Sequence, residues 1–135
     1  MCIRDSLPPG CEWRDFHDLN DLAAQYSELR AWYGTDTGLY HMAAAIGVPA
    51  TVFFGPTQPH KVVMPAQAGV TWVRLAELGE THCEQKECLR PCCLHQAVAD
   101  FAGVPGATAL EETPAGCPLR AYPAEQLTQV RVHAL

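Results

Sequence analysis

Apolar residues first recur with a helical period in the stretch after Asp15. Phe16, Leu19, Leu22, Ala23, Tyr26 and Leu29 fall at three- and four-residue steps, with polar residues between them. This spacing predicts a helix capped by Asp15 or Asp18, with the run of acids from Asp15 to Asp21 on its solvated face. Ala31-Trp32-Tyr33-Gly34 reads as a short strand and Thr35-Asp36-Thr37-Gly38 as a turn. Leu39 to Ile46 is Ala- and Met-rich and reads as a short helix, stopped by Gly47 and Pro49. Thr51-Val52-Phe53-Phe54 is a buried strand ended by Gly55-Pro56, residues 57–69 are loop, and Val70 to Leu75 is a further strand. Leu94, Ala97, Val98 and Phe101 predict a helix from about Cys93 to Ala102, closed by Gly103. Residues 103–118 read as loop or weak strand. Pro123, Leu127, Val130 and Ala134 predict a terminal helix.

Alternation of helices and strands predicts an α/β fold: a Rossmann-like parallel sheet with helices on its faces. Ligands of such sheets bind beyond the carboxyl ends of the strands. That rule singles out two turns, residues 34–38 and residues 55–60. Trp32 and Trp72 are expected in the core or on a cleft wall, as is Trp13.

Composition narrows the class. The 135 residues are 48% hydrophobic and 18% charged, which suits one folded domain with a core of its own and not a disordered chain. No apolar run approaches the ~18 residues of a membrane-spanning helix. No apolar segment followed by a small-residue cleavage site is visible near Met1, so a cytoplasmic setting is expected. Nine Lys and Arg against fifteen Asp and Glu give a net charge of -6, which argues against a nucleic-acid partner. An anionic small ligand stays open, because a helix N-terminus can hold a phosphate without a basic surface. Residues 1–12 are expected to be irregular, given Pro8, Pro9 and Gly10. The opening Met1-Cys2-Ile3-Arg4-Asp5-Ser6 resembles a hexapeptide that recurs at the starts of chains translated from environmental sequence assemblies. The expectation is therefore a non-native start, with the folded unit at residues 13–135.

The segment from Gly34 to Thr57 carries the clearest chemistry. Thr37 and Gly38 open a helix whose first N–H groups lack intrahelical partners, and these donors suit a phosphate or pyrophosphate. Gly38 lets a ligand approach the backbone, Thr37 adds a hydroxyl, and His41 stands on the first helical turn. Asp36 beside an anion is unfavourable unless it accepts from a hydroxyl, and a sugar or ribose supplies one. Gly55-Pro56-Thr57 repeats the design with a second hydroxyl and a small backbone. Asp-Thr-Gly is also common as a plain capped turn, and His41 on its own could be a structural histidine. What favours a site is the combination with the Ala-rich helix, Gly47-Val48-Pro49, the apolar strand and Gly55-Pro56-Thr57.

The run from Asp36-Thr37-Gly38-Leu39-Tyr40-His41 through Gly47-Val48-Pro49 to Phe53-Phe54-Gly55-Pro56-Thr57 resembles the donor-binding segment of glycosyltransferase family 9. That family includes the ADP-heptose:lipopolysaccharide heptosyltransferases. The likeness is dense over residues 32–57. It is weaker from Trp13 to Pro65, and at Cys117-Pro118-Leu119 with Pro123-Ala124-Glu125-Gln126-Leu127. Tyr40 stands where the family more often has a small residue, Pro or Met.

The resemblance implies the C-terminal half of a GT-B enzyme, two Rossmann-like domains facing a cleft. It implies a nucleotide-sugar donor held by Asp36, Thr37, Gly38, His41, Gly55 and Thr57, and a heptose-like sugar passed to a lipid A-core-type or other glycan acceptor. The acceptor domain and its general base would lie on an N-terminal half that no segment here matches, so this chain alone would be inactive. No cofactor is required by that chemistry. The implied location is the cytoplasm, with peripheral contact at the inner face of the inner membrane.

The seven cysteines support a different class. Cys83, Cys88, Cys92 and Cys93 lie close together, with His82 and His95 adjacent, and thiolates and imidazoles are zinc ligands. The spacing is not a pair of C-x2-C knuckles, so buried or surface thiols are the favoured reading, with a zinc site or disulfides as the alternatives. Three hypotheses follow: a glycosyltransferase donor domain, a structural metal-binding or interaction module, and another GT-B enzyme such as a sugar-nucleotide epimerase. Nucleotide binding that depends on Asp36 and His41 favours the first. Folding that fails with a chelator, without nucleotide binding, favours the second. His60 and Lys61 could meet a phosphate but suit a solvated loop.

Overall fold

The computed structural model describes residues 9–64, 69–75, 78, 83, 92–103, 117 and 130–134. Helix α1 is Leu19–Ser27 and strand β1 is Trp32–Thr35; helix α2 (Gly38–Ile46) leads into strand β2 (Ala50–Phe53). A 3-10 turn at Pro59–Lys61 precedes β3 (Val70–Leu75), then α3 (Cys92–Ala102) and β4 (Val130–Ala134). The sheet order is β1-β2-β3-β4. The first three strands are parallel, in a register that pairs Gly34 with Val52 and Val52 with Trp72.

Local chemistry explains the boundaries. Helix α1 starts at Leu19, later than the apolar period implies, because Asp18 is its cap: its side chain accepts from the N–H groups of Asn20 and Asp21 at 2.8 and 2.9 Å. The His17 N–H donates to Asp21 at 2.9 Å, and that bond holds the Asp21 carboxyl below the usual carboxylate range. Helix α2 ends where Gly47 turns left-handed at φ +88°, a conformation costly to residues with a Cβ. Gly103 closes α3 in the same way at φ +69°.

Two corrections concern the parts read as irregular or helical. Residues 57–69 are not all loop: they include the 3-10 turn, anchored by the fully buried Pro59. Val130 and Ala134 do not belong to a helix. They lie in β4, which pairs antiparallel with β3, so the sheet is three parallel strands plus one reversed. Val130-Arg131-Val132-His133-Ala134 has period-two alternation with β-branched residues, and this prevails over the sparse helical spacing. Pro123 and Leu127 lie outside the described residues, as do residues 1–8, Pro65 and most of 103–118.

Side chains divide into two buried layers, as strand alternation requires. Trp32, Tyr40, Ala43, Ala50, Val52, Phe54, Val70 and Trp72 form the layer around α2. Phe53, Val73, Leu75, Leu78, Cys93 and Ala97 form the layer under α3, with Cys117 packed against it. Trp32 and Trp72 are thus core residues, whereas Trp13 is half exposed at 49%. The Trp32 indole folds back over Gly34 and donates to the Tyr26 hydroxyl at 3.0 Å. Tyr40 is fully buried and its hydroxyl donates to the Val62 carbonyl at 3.1 Å, fastening α2 to the segment after the 3-10 turn. Burial pushes the Tyr40 hydroxyl up from 10.0 to about 12, with the charge of Asp36 adding to the shift.

Two outcomes follow from this packing. A Cβ on Gly34 would meet the Trp32 ring at 2.3 Å. Gly34→Ala should therefore lower stability by about 1–3 kcal/mol in urea unfolding; an unchanged midpoint would mean that the indole does not lie there. The folded state holds the Tyr40 proton more tightly than the unfolded chain, so the associated stability is intact below pH 10.0 and is lost as the pH rises towards about 12. Unfolding of Tyr40→Phe should show a shallower loss of stability over that interval than the wild type, and parallel profiles would contradict the assignment.

Candidate functional site

Three parallel strands place their carboxyl ends along one edge of the sheet. Strand β1 delivers Asp36, Thr37 and Gly38 to the start of α2, and β2 delivers Gly55, Pro56 and Thr57 beside them. The sequence-designated residues therefore form two neighbouring turns at one rim. Thr37 is the N-cap of α2 with extended backbone (φ -141°, ψ 165°), and its side chain makes no capping hydrogen bond. Its hydroxyl is exposed, as is Gly38. A Cβ on Gly38 would find no atom of the chain within 4 Å, so the backbone there faces open space. Asp36 is half-buried, close enough to Tyr40 to act on its hydroxyl. His41 is also half-buried, its ring tilted against that of Tyr40 with centroids 3.9 Å apart. The α2 helix is nine residues long, and its first N–H groups and its dipole point to this rim.

The second turn is built differently. Gly55 is buried, and a Cβ there would stand 3.2 Å from the Cys93 Sγ and 3.3 Å from the Leu94 Cβ. Glycine at this position thus lets the start of α3 approach the turn. Thr57 is half-buried.

Sequence reasoning missed Arg74. It stands at the carboxyl end of β3 and is only 3% exposed. Its Nε donates to the Gly55 carbonyl at 3.2 Å and its Nη2 to the Pro56 carbonyl at 3.4 Å. The Pro56 carbonyl also accepts from the Cys83 N–H at 3.1 Å. A single arginine inside an apolar strand is the available signal, since charge at a buried strand position needs partners. Tyr40 was visible as a departure from the family pattern, and the fold uses it as a clamp.

Cys93 is buried under α3 and Cys83 is half-buried at the Pro56 carbonyl. Cys88 and His82 lie outside the described residues, as do the side chains of Cys92 and His95. Among the described residues no three His, Cys, Asp or Glu side chains gather as metal ligands. His60 and Lys61 are exposed; the His60 ring meets Trp72 edge-on at 5.7 Å. A cavity of about 510 Å³ lies between α1 and residues 12–16, lined by Glu12, Arg14, Phe16, Leu29 and their neighbours, and it shares no residue with the rim. No helix among the described residues is long and apolar enough to cross a membrane.

Comparison with curated proteins and with solved structures gives no match. Among protein families, glycosyltransferase family 9 (heptosyltransferase) matches residues 17–94, more than half of the chain, and both rim turns fall inside it. An α/β Rossmann-like sheet, a helix N-terminus opened by Asp36-Thr37-Gly38 and a family match across both turns agree on one assignment. This chain belongs to glycosyltransferase family 9, whose members transfer a glycosyl group from a sugar donor to an acceptor.

Proposed function

We propose that this chain is the nucleotide-sugar-binding part of a GT-B glycosyltransferase that moves a heptose-like sugar from a nucleoside diphosphate to a lipid A-core-type or other glycan acceptor. The observation that carries this reading is the start of α2: a helix N-terminus with an unused threonine hydroxyl and open space above Gly38. The helix N–H groups and the Thr37 hydroxyl donate to the diphosphate, and Thr57 donates from the neighbouring turn. His41 lies one turn along and orients a phosphate or sugar oxygen. Asp36 accepts from a sugar or ribose hydroxyl, which reconciles a carboxylate with an anionic ligand.

The chemistry follows from where charge develops. As the glycosidic bond to the diphosphate breaks, negative charge grows on the leaving oxygen, and prepositioned N–H donors stabilise it more than they stabilise the ground state. Helix N–H groups suit this task and need no metal for it. The attacking acceptor hydroxyl needs a general base within hydrogen-bond reach. In this reading the base sits on a second Rossmann-like domain of the same polypeptide, across the cleft, so the described chain binds donor without transferring sugar. With a lipid A-core-type acceptor, this reading has the enzyme work in the cytoplasm, peripherally at the inner face of the inner membrane.

Thermal unfolding with ADP or UDP tests this. At about tenfold excess over Kd, binding adds about 1.4 kcal/mol, a rise of about 3–6 °C. Asp36→Ala combined with His41→Ala should abolish the rise. Gly38→Ala, whose Cβ meets nothing in the chain, should keep stability within about 0.5 kcal/mol yet reduce the rise, because the added methyl enters the ligand's space. No shift in the wild type at millimolar nucleotide, or an undiminished shift in the double variant, would contradict the proposal.

A further inference from the structure

Arg74 performs a task at the rim that motif reading does not reveal. Taking a guanidinium out of water is costly unless its N–H groups are matched. At 3% exposure Arg74 is in that regime, and two of its nitrogens meet the consecutive carbonyls of Gly55 and Pro56. These carbonyls belong to the turn that presents Thr57. The backbone has no cis peptide bonds among the described residues. In a trans peptide the C=O and the following N–H point in opposite directions. The Pro56 carbonyl is turned towards Arg74, so the Thr57 N–H is directed away from the guanidinium. The turn is also held from other sides, by the Cys83 N–H on the Pro56 carbonyl and by Cys93 and Leu94 against Gly55.

We infer that Arg74 is a positioning residue for the donor site: its buried fork fixes the Gly55 and Pro56 carbonyls and so aims the Thr57 N–H at the donor diphosphate. The inference rests on the donor-binding reading and adds to it the device that sets the second turn. Arg74 itself does not reach the ligand. Lysine keeps the charge but is a single point donor, whereas the guanidinium spans two acceptors.

The test uses the full chain with Arg74→Met and Arg74→Lys, and two readouts. The first needs no nucleotide: amide hydrogen exchange at Cys83, bonded to Pro56, compared with Phe54, whose N–H donates to the Val73 carbonyl at 2.8 Å. A freed turn should raise Cys83 exchange about tenfold relative to Phe54, the loss expected for a charged hydrogen bond. The second is ADP affinity, which should weaken about tenfold in Arg74→Met and recover in part in Arg74→Lys. Cys83 and Phe54 exchanging in step would mean that Arg74 is only structural, and would overturn the inference. So would unchanged ADP affinity in both variants. Should Arg74→Met fail to fold, Arg74→Lys decides alone: a wild-type exchange ratio and affinity overturn the inference, while a raised ratio with weakened affinity supports it. A wild-type chain that binds no ADP overturns the donor reading instead, and the exchange ratio still reports whether Arg74 holds the turn.

Discussion

Strand β2 must satisfy two helical layers at once. Ala50, Val52 and Phe54 pack towards α2, and Phe53 packs towards α3. Full burial of a Val or Phe side chain contributes about 1.5–3 kcal/mol each, so this short central segment is a large share of what holds the layers together. The constraint also sets the geometry of function. A strand buried on both faces cannot host polar chemistry along its length, and parallel neighbours send their chain crossovers away from it. Polar groups collect at the carboxyl rim, where β1 and β2 release Asp36-Thr37-Gly38 and Gly55-Pro56-Thr57.

Three glycines along these elements do three different things. Gly34 leaves room for the indole of Trp32, Gly55 leaves room for the start of α3, and Gly38 leaves the backbone open to what lies outside. In the donor-binding reading, the open space at Gly38 is where a ligand meets the backbone. The net charge of -6 is compatible with an anionic ligand because the rim offers N–H and hydroxyl donors. Arg74, a buried cation of this region, donates to the backbone carbonyls of the second turn.

Much of this was legible in the sequence, for identifiable reasons. The α2–β2 unit announces itself through an Ala-rich helix, a left-handed glycine stop and an apolar strand, all local signals. The first rim turn is legible because its residue types name their chemistry. Tyr40 and Arg74 were not legible as a clamp and a tether, because their partners at Val62, Gly55 and Pro56 are fixed by tertiary packing alone. Strand β4 was misread because five alternating residues competed with a weak helical spacing. It forms by pairing with β3, a partner more than fifty residues away. Of the cysteines whose spacing suggested a cluster, Cys93 packs under α3 and the backbone of Cys83 is held at the turn, while Cys88 and the side chain of Cys92 lie outside the described residues.

The central claim is that one diphosphate is shared by the two rim turns. Amide shift mapping of the full chain during titration with ADP tests it most directly. The account predicts that the largest changes fall on Thr37 to His41 and on Thr57, saturating together with one affinity. Changes concentrated instead around the cavity lined by Glu12, Phe16 and Leu29, with both turns silent, would contradict it.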